Sequence, residues 1–201
     1  PFEAVAPYDK PVDWKGESSI EALPERFARE VAAADIVFAG VPKAGELPDA
    51  TRQPDVCELV MQVGRPVLLV PESCRTAKFD RILVAWKDTR EARRAVADAL
   101  PLLIKARNVL VAEIFSPDDE ASAREGVARV SGWLARHGIA VEQKVVPAEM
   151  ANASQLTGLA REYGADLIVA GAYGHNRQGR WTLGGITSEL LSGSRCVFLS
   201  H

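Results

Sequence analysis

The chain has 201 residues, of which 47% are apolar and 25% charged, with a formal net charge of −3. That length admits one large domain or two small ones, and the composition is that of an ordinary globular protein. A slightly acidic chain has no general electrostatic reason to hold nucleic acid or an anionic membrane. No apolar run approaches the roughly 20 residues that a membrane-spanning helix needs, and no signal-peptide pattern is visible. The three cysteines, Cys57, Cys74 and Cys196, are scattered and lack zinc-ligand spacing. They read as structural thiols of a reducing cytoplasm.

In chain order, the first organised segment is Phe27 to Gly40. A helix-like run leads to Ala34-Asp35 and then to Ile36-Val37-Phe38-Ala39-Gly40. The pattern returns from Leu159 to Gly171, as a helix-like run, Ala165-Asp166 and Leu167-Ile168-Val169-Ala170-Gly171. Arg65-Pro66-Val67-Leu68-Leu69-Val70 likewise returns as Arg195-Cys196-Val197-Phe198-Leu199-Ser200, and Val12-Asp13-Trp14-Lys15 as Val141-Glu142-Gln143-Lys144. Asp35 to Val67 spans 32 positions, and Asp166 to Val197 spans 31. Three matches in order, at kept distances, predict a duplication. The second copy has about 85 residues before its Ala-Asp and the first has 34, a deficit of roughly 50. The spacing therefore predicts a further N-terminal part ahead of Pro1. The expected division is a partial first domain over 1–78 and a complete second domain over 79–201. Between its two matching segments the first copy carries Gly40-Val41-Pro42-Lys43-Ala44-Gly45-Glu46-Leu47-Pro48, whose prolines remove backbone donors, so no ligand loop is expected there.

The second copy alternates strands and helices. Arg81 to Trp86 reads as strand one. Thr89 caps a helix over Arg90 to Ala106 that Pro101 should kink or end. Asn108 to Phe115 is strand two. Pro117 and the acids Asp118, Asp119 and Glu120 open a helix that runs to His137 and stops at Gly138. Ile139 to Val146 alternates and reads as strand three, near an edge. A third helix opens at Asn152 or Ser154 and ends at Gly164. Asp166 to Gly171 is strand four, Thr187 to Ser192 the last helix and Cys196 to Ser200 strand five. Strands separated by helices predict an α/β fold with a doubly wound, parallel five-stranded sheet. In the order 3-2-1-4-5, ligands bind at the carboxyl ends of strands one and four, where the winding reverses.

That edge gathers the candidate site. Strand one delivers Ala85, Trp86, Lys87 and Asp88. Strand four delivers Gly171, and a glycine-rich crossing to the last helix supplies Gly174, His175, Arg177, Gly184, Gly185, Ile186 and Thr187. Backbone N–H groups at such a crossing can face a phosphate, and His175 and Arg177 stand within reach of it. Trp86, at a strand end, reads as core or cavity wall more readily than as a platform for adenine.

These residues carry a resemblance. Gly171-x-x-Gly174, nine residues and then Gly184-Gly185, with the flanking Asp166-Leu167-Ile168-Val169 and the opening Ile82-Leu83-Val84-Ala85, resembles the universal stress protein (UspA-like) family of the tandem type. The likeness covers Asp80 to His201 and is weaker over Pro11 to Pro71. It implies a Rossmann-like fold of the adenine nucleotide alpha hydrolase type, and ATP or another adenine nucleotide as ligand, with magnesium as its companion. It also implies a cytoplasmic stress-response role, a pseudo-dimer of the two repeats through the last strands, Cys196 to Ser200 and its counterpart Pro66 to Val70, and a homodimer as a further association. Two positions depart from the pattern. Gly185 stands where a Ser or Thr follows the third glycine, leaving Thr187 as the nearest hydroxyl. Lys87 stands where an Asp is common, replacing an acceptor for ribose by a cation for phosphate. The residues supply no nucleophile–base pair and no Walker-type lysine, so the expected role is non-catalytic regulation. Two alternatives stand beside it: a scaffold that has lost nucleotide binding, and a slow ATPase using Asp88 or Glu113.

Overall fold

The computed structural model describes residues 23–41, 56–74, 78–149, 152–172, 174–177, 180–183, 190 and 195–201. Its elements in the first part are α1 (Leu23–Glu30), β1 (Val37–Val41), α2 (Val56–Gln62) and β2 (Val67–Pro71). There follow β3 (Arg81–Ala85), α3 (Arg90–Asp98), α4 (Leu100–Leu103), β4 (Asn108–Phe115), α5 (Glu120–Arg136) and β5 (Val141–Pro147). The chain continues through α6 (Asn152–Tyr163), β6 (Leu167–Gly171), the short strands β7 (Gly174–Arg177) and β8 (Arg180–Leu183), and β9 (Cys196–Ser200).

Seven strands form one sheet in the order β1-β2-β9-β6-β3-β4-β5. The run β5-β4-β3-β6-β9 is parallel throughout, and it is 3-2-1-4-5 when those five strands are numbered along the chain. Period-two alternation explains its burial. Ile82 and Val84 of β3, Val109 and Val111 of β4, Leu167 and Val169 of β6, and Cys196 and Phe198 of β9 face one core. Leu83, Leu110, Ile168, Ala170, Val197 and Leu199 face the other. Both faces are covered, so the central strands are apolar without a break.

Helices cover those faces for reasons visible in their spacing. In α3, Ala92, Ala95, Val96 and Ala99 recur at helical intervals and are buried. Thr89 caps it by accepting from the Ala92 N–H at 3.3 Å. The helix breaks at Ala99, ahead of Pro101, and resumes as α4. In α5, Ala123, Gly126, Val127, Val130 and Leu134 make the buried stripe, and His137 and Gly138 end it, with Gly138 at φ +78°. Helix α6 turns Leu156, Leu159 and Ala160 to the opposite core. At the amino ends of the strands, Asp166 accepts from the Asp80 N–H at 3.0 Å and the Arg81 N–H at 3.2 Å, which fixes the entry of β3 beside β6.

The first part of the chain extends the sheet. β1 pairs parallel with β2, with Val37 opposite Val67, and β6 pairs parallel with β9, with Ile168 opposite Val197. These are the residues matched between the two repeats. β2 then pairs antiparallel with β9: Val67 opposite Leu199, Leu68 opposite Phe198, Leu69 opposite Val197. Leu68 and Phe198 hold matching places in two similar sequence segments, so the pairing about them has the form of a two-fold contact. The cysteines are less scattered than the sequence suggests. The Cys196 thiol donates to the Cys74 sulfur at 3.4 Å, and burial pushes Cys196 up to about 12, which keeps it protonated.

One contact limits the whole arrangement. A Cβ added at Gly171 would lie 2.5 Å from the Ala92 nitrogen and 2.6 Å from the Glu91 carbonyl carbon. Both are backbone atoms of the first turn of α3, so neither can give way without moving the helix. Replacing Gly171 by Ala should destabilise the fold by about 1–3 kcal/mol, read from urea unfolding. An unchanged midpoint would show that α3 does not seat on β6 in this way.

Candidate functional site

The carboxyl ends of β3 and β6 lie side by side. Ala85 is paired with Ala112 on one flank and Ala170 on the other, so the residues leaving β3 stand next to Gly171. The exit is tied down: the Trp86 N–H donates to the Ala112 carbonyl at 2.8 Å, and the Thr89 N–H to the Lys87 carbonyl at 2.7 Å. From β6, the Ala172 N–H donates to the Ser200 carbonyl at 2.8 Å. The Ala172 carbonyl lies 3.0 Å from Nδ1 of His201.

Charge at this edge is mixed. Lys87 is exposed. Asp88 accepts from Nε of Arg93 at 2.8 Å. Glu91 is buried, and its carboxyl is held below the usual range, first by its own backbone N–H and then by Arg90, whose guanidinium lies 3.0 Å away. The first turn of α3 therefore already carries a carboxylate where its dipole would otherwise face an incoming anion. A phosphate at this edge has Lys87 and the backbone beyond Gly171 to turn to.

The segment after Gly171 departs from the expected open crossing. Gly174–Arg177 pairs antiparallel with Arg180–Leu183, placing Gly174 opposite Leu183, His175 opposite Thr182 and Arg177 opposite Arg180. Two residues separate the strands, the second of them Gly179, which is a hairpin spacing that the glycine count obscured. β8 runs beside α2, so the ribbon reaches the first part of the chain. Gly184, Gly185, Ile186 and Thr187 lie outside the described residues, as does most of the expected last helix.

Trp86 belongs to a different neighbourhood. Its indole packs in the core formed with α3 and α5, at 7% exposure. Its Nε1 lies 3.2 Å from where a Cβ on Gly126 would stand, and Oε2 of Glu113 lies 3.6 Å from the same point. Neither atom has a hydrogen-bond partner. Burial pushes the Glu113 carboxyl up to about 7; Lys87 opposes the rise, and Asp88 and Asp119 add to it. Asp88 and Glu113 thus sit in different surroundings, one paired with an arginine at the surface and the other buried near Gly126. Gly126 had no place among the residues singled out from the sequence. Its signal was there: a glycine inside a long helix costs about 1 kcal/mol against alanine and marks a close approach.

An α/β sheet in this order defines a Rossmann-like fold. No protein-family model matches the chain, and no curated protein sequence does. Solved structures do. A universal stress protein from Archaeoglobus fulgidus DSM 4304 superposes with a TM-score of 0.64 at 17% identity, over 86% of this chain and 64% of that one. A second one from Archaeoglobus fulgidus gives 0.53 at 16% identity, over 61% of this chain and 98% of that one. A protein of Pseudomonas aeruginosa PAO1 described as functionally unknown gives 0.60 at 18% identity, over 90% and 68%. The fold is that of the universal stress proteins.

The Glu113 carboxyl sets a pH dependence. Its folded-state value, about 7, stands above the ordinary 4.5, so the folded chain holds this proton more tightly than the unfolded chain does. That contribution is complete below about pH 4.5 and is lost as pH rises through about 7. Glu113→Gln should therefore stabilise the protein by about 2 kcal/mol at pH 8.5 and by much less at pH 4.5, in paired urea titrations. An equal effect at both values would mean that the carboxyl is not held neutral.

Proposed function

We propose that this chain is a universal-stress-type protein that binds an adenine nucleotide at the carboxyl edge of β3 and β6, acting as a non-catalytic, cytoplasmic regulator. The observation that carries the reading is the register Ala85 opposite Ala170. It supports a site in which the Trp86-Lys87-Asp88 turn adjoins the start of Gly171-x-x-Gly174. Lys87 would take phosphate charge, and the backbone N–H groups of Tyr173 and Gly174 and of Gly184 to Thr187 would take phosphate oxygens. Magnesium, if it accompanies the nucleotide, would be held mainly by phosphates and water. The two repeats would form a pseudo-dimer through β2 and β9, whose pairing about Leu68 and Phe198 supports a shared ancestor for both halves. A homodimer would use other surfaces, because β9 is paired on both sides.

A second reading has a specific observation in its favour. Glu91 occupies the first turn of α3 at the same edge, and a carboxylate there repels phosphate. In that reading the chain is a scaffold that no longer holds nucleotide.

Calorimetry with ATP, ADP and AMP, with and without magnesium, separates the two. Saturable binding that Gly174→Asp abolishes, with no sustained phosphate release, is the result expected for the regulator. Lys87→Ala should weaken ATP more than AMP, by about tenfold for a lost charge-assisted contact. Heat signals absent for all three nucleotides would favour the scaffold.

A further inference from the structure

A second cavity adjoins the carboxyl edge, in the groove between α3 and α5, and shares Trp86 and Asp88 with it. The groove encloses about 450 Å³, within the range of small-molecule sites. Its walls are Val96 and Val130, both buried, and the half-buried Trp133. Its floor is Trp86 and Gly126, where the indole N–H, buried and without an acceptor, packs closely over the glycine, 3.2 Å from where a Cβ would stand. A buried donor with no partner is unfavourable, so an acceptor that reaches it is rewarded.

The charge of the lining is one-sided. Arg93, Arg129 and Arg136 border the groove, and Asp88 is the one acid among the lining residues. Asp88 holds Arg93 at 2.8 Å, and Glu125 holds Arg129 at 3.3 Å, but both pairs are solvent-exposed. Exposed pairs of that kind are worth about 0–1 kcal/mol and exchange readily for a ligand carboxylate. Glu113 lies beside the floor, and Lys87, Asp88 and Asp119 are the charges that act on it. At pH 6 it keeps its proton and adds no negative charge.

We propose that the α3–α5 groove binds a small aryl carboxylate. The carboxylate accepts from the Trp86 indole N–H and pairs with the Arg129 guanidinium. The flat ring lies along Val96, Val130 and Trp133. A flat body fits because aromatic and branched aliphatic surfaces form the walls, and an anion fits because the planar guanidinium fork matches carboxylate geometry.

The test uses 2-naphthoate as probe and 2-naphthylmethanol as its neutral counterpart, titrated into the full chain at pH 6. The indole N–H resonance of Trp86, assigned by its loss in Trp86→Phe, is followed by NMR. Saturable binding of 2-naphthoate that shifts this resonance, at least about tenfold tighter than the alcohol, is expected. Arg129→Glu should weaken it by at least about tenfold. Ala97→Phe, an exposed position on the groove's rim, should block binding while the circular dichroism spectrum stays unchanged. No saturation, an unmoved Trp86 resonance, or binding that Ala97→Phe leaves intact would each overturn the proposal. Displacement of 2-naphthoate by ATP would overturn it too, by placing the probe at the carboxyl edge. Failure of ATP to bind at all leaves this test untouched.

Discussion

The seat of α3 on Gly171 is the contact on which both halves of this molecule's chemistry depend. With no side chain at Gly171, the backbone of Glu91 and Ala92 descends onto the end of β6. That places the first turn of α3 directly over the point where β3 and β6 diverge, and it fixes the short path from Ala85 to Thr89. It also sets the height of α3 above the sheet, and with it the groove that α3 shares with α5. A glycine first read as part of a phosphate cradle thus has a packing duty of its own. The two roles are compatible, because the close approach involves the Cβ direction and leaves the N–H groups after Gly171 to their own partners.

The N-terminus of α3 differs from that of an anion-binding helix. Thr89 accepts from the third residue's N–H, and Glu91 folds its carboxylate onto its own N–H. The dipole is satisfied from within the chain. A nucleotide at this edge would be held by the segment after β6 and by Lys87 rather than by α3. Lys87 adds a cation at this edge beside two carboxylates, Glu91 and Asp88, that already have arginine partners.

Most of the second repeat was legible in the sequence because its signals are local. Thr89 before a helical stripe, Gly138 and Gly164 after one, and apolar runs such as Ile82 to Ala85 each point to one structure. The strand order followed from topology rules that depend only on strands alternating with helices. What was not legible came from contacts between distant segments. The hairpin of β7 and β8 was hidden because its glycines match a loop motif as well as a turn. The thiol pair of Cys74 and Cys196 links residues far apart in the chain. The floor of the α3–α5 groove joins Trp86 and Gly126, with Glu113 beside it, from distant parts of the chain that no spacing rule connects. The antiparallel meeting of β2 and β9 was foreshadowed only through the resemblance, and the structure adds its centre at Leu68 and Phe198.

The account's central claim is that the carboxyl edge of β3 and β6 is where nucleotide is held. Hydrogen exchange with mass spectrometry, in the presence and absence of saturating ATP, tests it most directly. The account predicts slowed exchange in peptides covering Trp86 to Thr89 and Gly171 to Thr187, with α5 unchanged. Slowed exchange confined to Gly126 to Arg136, or the same exchange everywhere, would contradict it.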